Sequence, residues 1–368
     1  MNHRATMEGT DRFSARHGHS RAKGFFNDAG TLTVPSLAIG TYMGEADEGT
    51  DRRYEEAIRA SVIRGSNLID TAVNYRHQRS ERAVGRALSS LIEERSVRRD
   101  EIIVCTKGGF IPFDGSVPED VGGYFRERFV NRGVLNAPSD VIAGTHCMAP
   151  SFLADQVGTS LSNLSLECID VYYLHNPETQ RAEMEPDAFE ERILGAFETL
   201  EDQAEKGRIG CYGIATWSGL RVGPESPEHL NLERIVELAR LAGGADHRFR
   251  FIQLPVNLGM LEGVSRATQR LEGREMAALD AAAALSLTAV GSATLSQGRF
   301  SRNIPALVSE KLPDLDTDAQ RALHFIRSIP NLSVSLVGMS HADHVEENLS
   351  LRHIPPMSGD SIRDMMPS

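Results

Sequence analysis

Eight short apolar runs, each followed by a stretch of helical periodicity, restrict what this 368-residue chain can fold into. The runs fall at 34–40, 67–72, 101–108, 168–177, 209–216, 249–257, 287–293 and 332–339. Amphipathic stretches follow at 51–64, 80–93, 151–165, 187–205, 231–241, 275–285, 317–327 and 341–351. In the first of these Tyr54, Ile58, Ala60, Ser61 and Ile63 recur near a 3.6-residue period. Strands that alternate with helices imply parallel βαβ units. Eight units with no GxGxxG after the first strand fit a closed barrel better than an open sheet. The expected fold is α/β, a single (β/α)8 TIM barrel over 31–355, with its active site at the C-terminal ends of the strands. Residues 1–30 read as a flexible N-terminal arm and 356–368 as a C-terminal tail.

Composition limits the class of function. With 40% hydrophobic and 24% charged residues the chain has material for one large core. The net charge is -12 and the basic residues are dispersed, which argues against nucleic acid as a partner. No apolar run reaches the length of a membrane helix. The N-terminus lacks the apolar core of a secretory signal, and four cysteines lie far apart without CxxC spacing. A cytoplasmic protein with reduced thiols is expected. His146 and Cys147 are adjacent, but no further ligand pair has zinc-like spacing, so no metal is expected.

Two segments break the rhythm, 110–150 after the third strand and 258–274 after the sixth. Both leave from the face where barrel sites are built, and loops of such length are commonly functional. They are expected to wall a substrate site, with Tyr124, Phe125, Phe129, His146 and Trp217 as candidate lining.

The strand ends carry the chemistry. The second strand leads into IDTAVNYRHQRSE, the third ends in VCTKGG and the fourth in YYLHNP. These place Asp70, Tyr75, Lys107 and His175 around one mouth of the barrel. Taken singly, a cap, a packing ring, a solvated lysine and a backbone-bonded histidine are ordinary readings. Together at one barrel end they are not. DTAVNYRHQRSERAVG resembles the second-strand signature of the aldo-keto reductase superfamily. TKGG resembles its third-strand lysine, YLHNP its fourth-strand histidine and GMSHADHVEENL its closing cofactor segment, so the likeness runs from about residue 32 to 351.

Carbonyl reduction needs hydride on carbon and a proton on the developing alkoxide. A phenol, with a pKa near 10, donates readily, and an adjacent ammonium steadies its phenolate. Lys107 suits that task, Asp70 would keep Lys107 charged, and His175 can offer a ring N–H to the carbonyl oxygen. The resemblance implies the same four roles, with Tyr75 as general acid/base and an aldehyde, ketone or sugar-like carbonyl, or its alcohol, as substrate.

At the cofactor site the sequence departs from the family. Thr216 and Trp217 stand where relatives commonly have Ser-Asn, and the indole cannot accept a hydrogen bond. Gln253 matches the strand-six glutamine. Ser292 occupies the position of the usual stacking aromatic, so Trp217 either stacks from the neighbouring strand or belongs to the core. Leu295, Gln297 and Arg299 resemble a pyrophosphate loop. Ser340, His344, Glu347 and Asn348 map onto the adenine end, where a helix start would favour phosphate. The resemblance implies NADP, and NAD stays open because this segment carries no Arg or Lys. An alternative is a regulatory or sensor protein that binds the cofactor with little turnover, a use to which potassium-channel β subunits put this fold. The number of subunits is not legible.

Overall fold

The computed structural model describes residues 3–18, 23–135 and 138–366. Eight parallel strands close a barrel: β1 (Leu37–Gly40), β2 (Leu68–Asp70), β3 (Ile103–Gly108), β4 (Ile169–His175), β5 (Ile209–Ala215), β6 (Phe249–Pro255), β7 (Thr288–Ser292) and β8 (Val334–Gly338). Each pairs with its neighbours in chain order, and β8 pairs with β1 to complete the ring. The principal helices are α1 (Glu48–Ile63), α2 (Arg79–Glu93), α3 (Pro150–Leu164), α4 (Pro186–Glu205), α5 (Leu232–Gly243), α6 (Ala278–Ala284), α7 (Asp318–Arg327) and α8 (Ala342–Leu349). This is the TIM barrel that the alternation of runs predicts.

Side chains alternate across each strand, so the barrel has two cores. Leu68, Ile103, Cys105, Val171, Tyr173, Phe251 and Val290 fill its interior. Their i+2 neighbours at the C-terminal ends share that inward face. By parity alone Asp70 follows Leu68, Lys107 follows Cys105, His175 follows Tyr173 and Gln253 follows Phe251. The opposite parity, including Val104, Tyr172, Ile214 and Ile252, packs outward against the helices. All four cysteines are buried free thiols.

Three segments differ from the sequence reading. The stretch expected as a flexible arm contains a helix, Met7–Gly18, whose Phe13 is fully buried. Its Arg12 and Arg16 pair with Asp100 and Glu101, and the Ala5 amide donates to Asp170 at 2.6 Å. Charge pairing and one aromatic anchor hold it across the N-terminal end of the barrel. The apolar run 34–40 is two elements. Thr33–Pro35 pairs antiparallel with Phe26–Asp28, and only Leu37–Gly40 enters the barrel. In the tail, Gly359–Arg363 is helical and buries Ile362, with Met365 buried just beyond it.

The long segment after β3 folds back on itself. A helix, Val121–Phe125, runs into a π-turn over Arg126–Val130, and Val141–Ile142 pairs with His146–Cys147. Phe110 bridges to His146, and Arg128 grips Asp155 of α3 with two hydrogen bonds.

Candidate active site

A cavity of about 770 Å³ opens at the C-terminal ends of the strands and is lined by all eight of them or by the loops that follow. That size suits a small-molecule or cofactor site. Beneath the floor, which Asp70, Tyr75 and His175 line, Lys107 is fully buried, with Nζ 2.5 Å from Asp70 Oδ1 and 2.8 Å from the carbonyl of Thr71. The second oxygen of Asp70 accepts from Gln253 Nε2 at 2.9 Å. Lys107 Nζ also lies 4.8 Å from the centre of the Tyr75 ring. His175 packs edge-on to the same ring at 5.9 Å between centres. Asp70, Tyr75, Lys107 and His175 thus meet in one place.

Tyr75 is positioned by unusual backbone. Arg76, His77 and Gln78 all take positive φ, a conformation that non-glycine residues adopt at a cost. Buried Arg76 compensates by pairing with Asp51 at 2.6 Å and lying over the Tyr54 ring. That pair fixes the loop in which Tyr75 sits.

Electrostatics sort the donors. Burial pulls Lys107 down, but the Asp70 carboxylate and Tyr75 more than offset it, and the ammonium ends above its ordinary value. Burial pushes the Tyr75 phenol up, and the opposing pull of Lys107 is smaller. The phenol is therefore a protonated donor at neutral pH rather than a phenolate. His175 is driven well below the ordinary imidazole range by burial, with the Lys107 charge acting in the same direction, and is neutral. Its Nδ1 is buried without a hydrogen-bond partner. An unpaired buried N–H is more costly than an unpaired lone pair, so the ring proton belongs on Nε2. The arrangement can polarise a carbonyl oxygen and protonate it.

The remaining predicted residues divide. Thr216, Trp217, Gln253, Ser292, Leu295 and Gln297 line the cavity, as do Ser340, His344, Glu347 and Asn348. Trp217 is 45% exposed, which rules out the core placement. Its amide and that of Ser218 both donate to Glu178 Oε1, a buried carboxylate that the sequence reading missed. Arg299 is not in the lining. Its guanidinium lies over the Phe300 ring, and Arg302, three residues on, borders the cavity instead. Positive φ at Ser296, Gln297 and Gly298 tightens the turn and shifts which side chain faces inward.

The expected walls are also smaller than predicted. No residue of 258–274 lines the cavity; that stretch forms the hairpin of Gln269–Leu271 and Arg274–Met276. Among the described residues of 110–150 only Phe110 does. Phe129 is buried in the core, the Tyr124 hydroxyl donates to Pro112, Phe125 packs on Phe129, and His146 is fully enclosed behind Phe110. Tyr42, Met43, Asn74 and Asn176 complete the mouth. They follow strand ends, and their position in the sequence is the signal that could have found them.

A nicotinamide dinucleotide fits the donor set. Thr216 Oγ1 and Asn348 Oδ1 are buried polar atoms without partners, on opposite elements of the same cavity. Buried polar groups left unpaired in a folded protein are commonly met by a ligand or water.

A model of the aldo/keto reductase family matches residues 36–222, just over half of the chain. An aldo-keto reductase of Bombyx mori is 22% identical over 52% of this chain and 49% of its own length, so the match spans about half of that relative. A probable voltage-gated potassium channel subunit beta of Arabidopsis thaliana is 21% identical over 89% of this chain and 90% of its own. Among solved structures, an aldo/keto reductase from Klebsiella pneumoniae in complex with NADP and acetate superposes with a TM-score of 0.63 over 94% of each chain, at 17% identity. The holo form of an aldo-keto reductase from Bacillus halodurans gives 0.58 over 91% of this chain and 93% of that one, at 18% identity. At such identities the superpositions speak for the fold alone.

Proposed function

Because the chain belongs to the aldo/keto reductase family, we propose that it is an NAD(P)H-dependent oxidoreductase interconverting an aldehyde, ketone or sugar-like carbonyl and its alcohol. The observation that carries this reading is the meeting of Tyr75, Asp70 and His175 at the floor of one cavity, with Lys107 directly beneath them. The nicotinamide, when bound, supplies or accepts the hydride. Thr216 and Gln253 would hold its carboxamide end, with Trp217 and Ser292 beside it. Leu295, Gln297 and Arg302 would face the diphosphate, and Ser340, His344, Glu347 and Asn348 the adenosine. The diphosphate is common to both forms, so Arg302 would serve either; the NADP held by the Klebsiella pneumoniae relative supports NADP as the preferred form, with NAD usable.

Tyr75 gives its phenolic proton to the carbonyl oxygen as that oxygen gains charge. Lys107 stabilises the phenolate left behind, and Asp70 keeps Lys107 charged and aimed. His175 donates from Nε2 to the same oxygen and sets the carbonyl's orientation. In the alcohol direction each proton movement reverses. The Phe110, Tyr42 and Trp217 rings would enclose the substrate.

Titration with NADPH and with NADH, read on the emission of Trp217, tests the cofactor half; micromolar binding of NADPH is expected. Consumption of NADPH against aldehydes and aldoses tests the rest. Failure of both cofactors to bind at high micromolar concentration would end the redox reading. A second reading is favoured by the likeness to the Arabidopsis channel subunit along most of the chain. In that case the protein senses the cofactor and turns over slowly despite tight binding.

A further inference from the structure

His175 lacks the support that a catalytic histidine ordinarily has. Such a ring is commonly fixed by an acceptor on the nitrogen away from the substrate. Here Nδ1 has no partner. What grips this residue is its main chain. The imidazole of His146, 29 positions earlier in the sequence, donates from Nε2 to the His175 carbonyl at 2.6 Å.

The direction of that bond follows from the groups behind it. Arg192 of α4 donates to Gln180 Oε1 at 3.3 Å, since a guanidinium can only donate. The Gln180 amide is thereby oriented, and its Nε2 donates to His146 Nδ1 at 3.0 Å and to the His146 carbonyl at 3.3 Å. Nδ1 of His146 must then be the acceptor, and Nε2 carries the proton. Burial holds His146 down at about 4, so it stays neutral and keeps this tautomer.

Two further observations place this chain of bonds at the site. Phe110 packs edge-on to both imidazoles, 5.0 Å from His146 and 5.1 Å from His175, while also lining the cavity. Gly109 has φ of +145, and a β-carbon there would lie 2.8 Å from His146 Nε2 and 2.8 Å from the His175 carbonyl oxygen. The two partners of the bond close over a residue that has no room for a side chain.

We propose that His146 is a positioning residue: through the series Arg192–Gln180–His146 it fixes the backbone of His175, and with Phe110 it sets the angle at which the His175 ring meets the carbonyl oxygen. This rests on His175 being the group that contacts that oxygen. His146 itself touches no substrate.

The test uses the full chain saturated with NADPH, in four variants. His146→Phe keeps the ring and its packing but removes both hydrogen bonds. His146→Gln returns a donor near Nε2. Gly109→Ala wedges the bond apart while leaving both imidazoles in place, and His175→Ala is the control. With 4-nitrobenzaldehyde as the probe, His146→Phe and Gly109→Ala should lower kcat roughly 10- to 100-fold, the scale of a 1 Å misplacement, with NADPH affinity unchanged. His146→Gln should recover most of the rate.

Long-range 1H–15N spectra of the histidine rings decide the matter whichever aldehyde the enzyme prefers. Wild type should show single Nε2–H tautomers for both His146 and His175. In His146→Phe the His175 signals should broaden or split. Unchanged His175 signals in His146→Phe, or an Nδ1–H tautomer for His146 in wild type, would overturn the proposal. So would full kcat in both His146→Phe and Gly109→Ala beside an inactive His175→Ala, and that result would leave the oxidoreductase reading standing. Full activity in His175→Ala would instead remove the role given to His175 and with it this inference.

Discussion

The proposed proton donor, Tyr75, and its neighbours set the pH behaviour that single residues can be asked to show. The Tyr75 phenol lies above its ordinary value of 10, so its donating form persists past that pH. The His175 imidazole lies well below 6.5 and is neutral throughout the range above it. For carbonyl reduction kcat/KM should therefore be flat from about pH 6.5 to about pH 10 and fall beyond it, as steady-state rates across that range would show. A fall centred near pH 8 would mean that Lys107 outweighs burial at Tyr75. Tyr75→Phe should lower the rate by roughly 10²- to 10⁴-fold and leave the quench of Trp217 by NADPH unchanged. These four residues were legible because each ends or follows a strand, in a motif that resembles the family's. Arg302 was not, and His146 was read only as pocket lining rather than as a group behind it. Their directions depend on positive-φ turns and on a hairpin, neither of which leaves a periodic signal.

At the scale of elements, the loop after β5 is held by one carboxylate from the turn after β4. Glu178 accepts from the Trp217 and Ser218 amides, and burial lifts its pKa, with those backbone hydrogen bonds opposing. Removing the acceptor in Glu178→Ala frees the loop that carries Thr216 and Trp217. NADPH binding, read by Trp217 quenching, should weaken roughly tenfold, while Glu178→Gln, which keeps an oxygen, should bind near normally. An equal loss in both variants would show that charge, not the hydrogen bonds, matters. The elements themselves were the most legible level. The barrel strands and principal helices lie close to the positions that periodicity gives, most within a residue or two. The run 34–40 was misread because an apolar alternation looks the same whether a strand joins the barrel or the hairpin beneath it. Likewise 258–274 has the polar composition of a loop yet pairs with itself away from the cavity.

At the end opposite the cavity Ala29, Leu32 and Val34 of the hairpin continue the barrel core, and a helix that composition alone made look loose packs against that hairpin. If Met7–Gly18 is integral, Phe13→Ala should cost about 3 kcal/mol in urea unfolding, because it empties a fully enclosed site. A change near zero would mean that the helix detaches before the barrel unfolds. Acid stability is a second global property. His324 is held at about 4, first by burial and then by Arg327, below the 6.5 of an unfolded histidine. Its contribution is complete above 6.5 and is lost as the pH falls toward 4. Between about pH 7 and about pH 5 it should amount to about 2 kcal/mol, so His324→Gln should lose that much less than wild type in paired denaturant melts. Phe110 has a different kind of consequence. One face of its ring environment is cavity wall, and the other is the pair of imidazoles. In a lineage adapting to a new substrate, preference and rate cannot drift apart at this position. A substitution that reshapes the wall would be judged first by turnover, and compensating changes would be expected at 109, 146 and 180 before the new preference could spread.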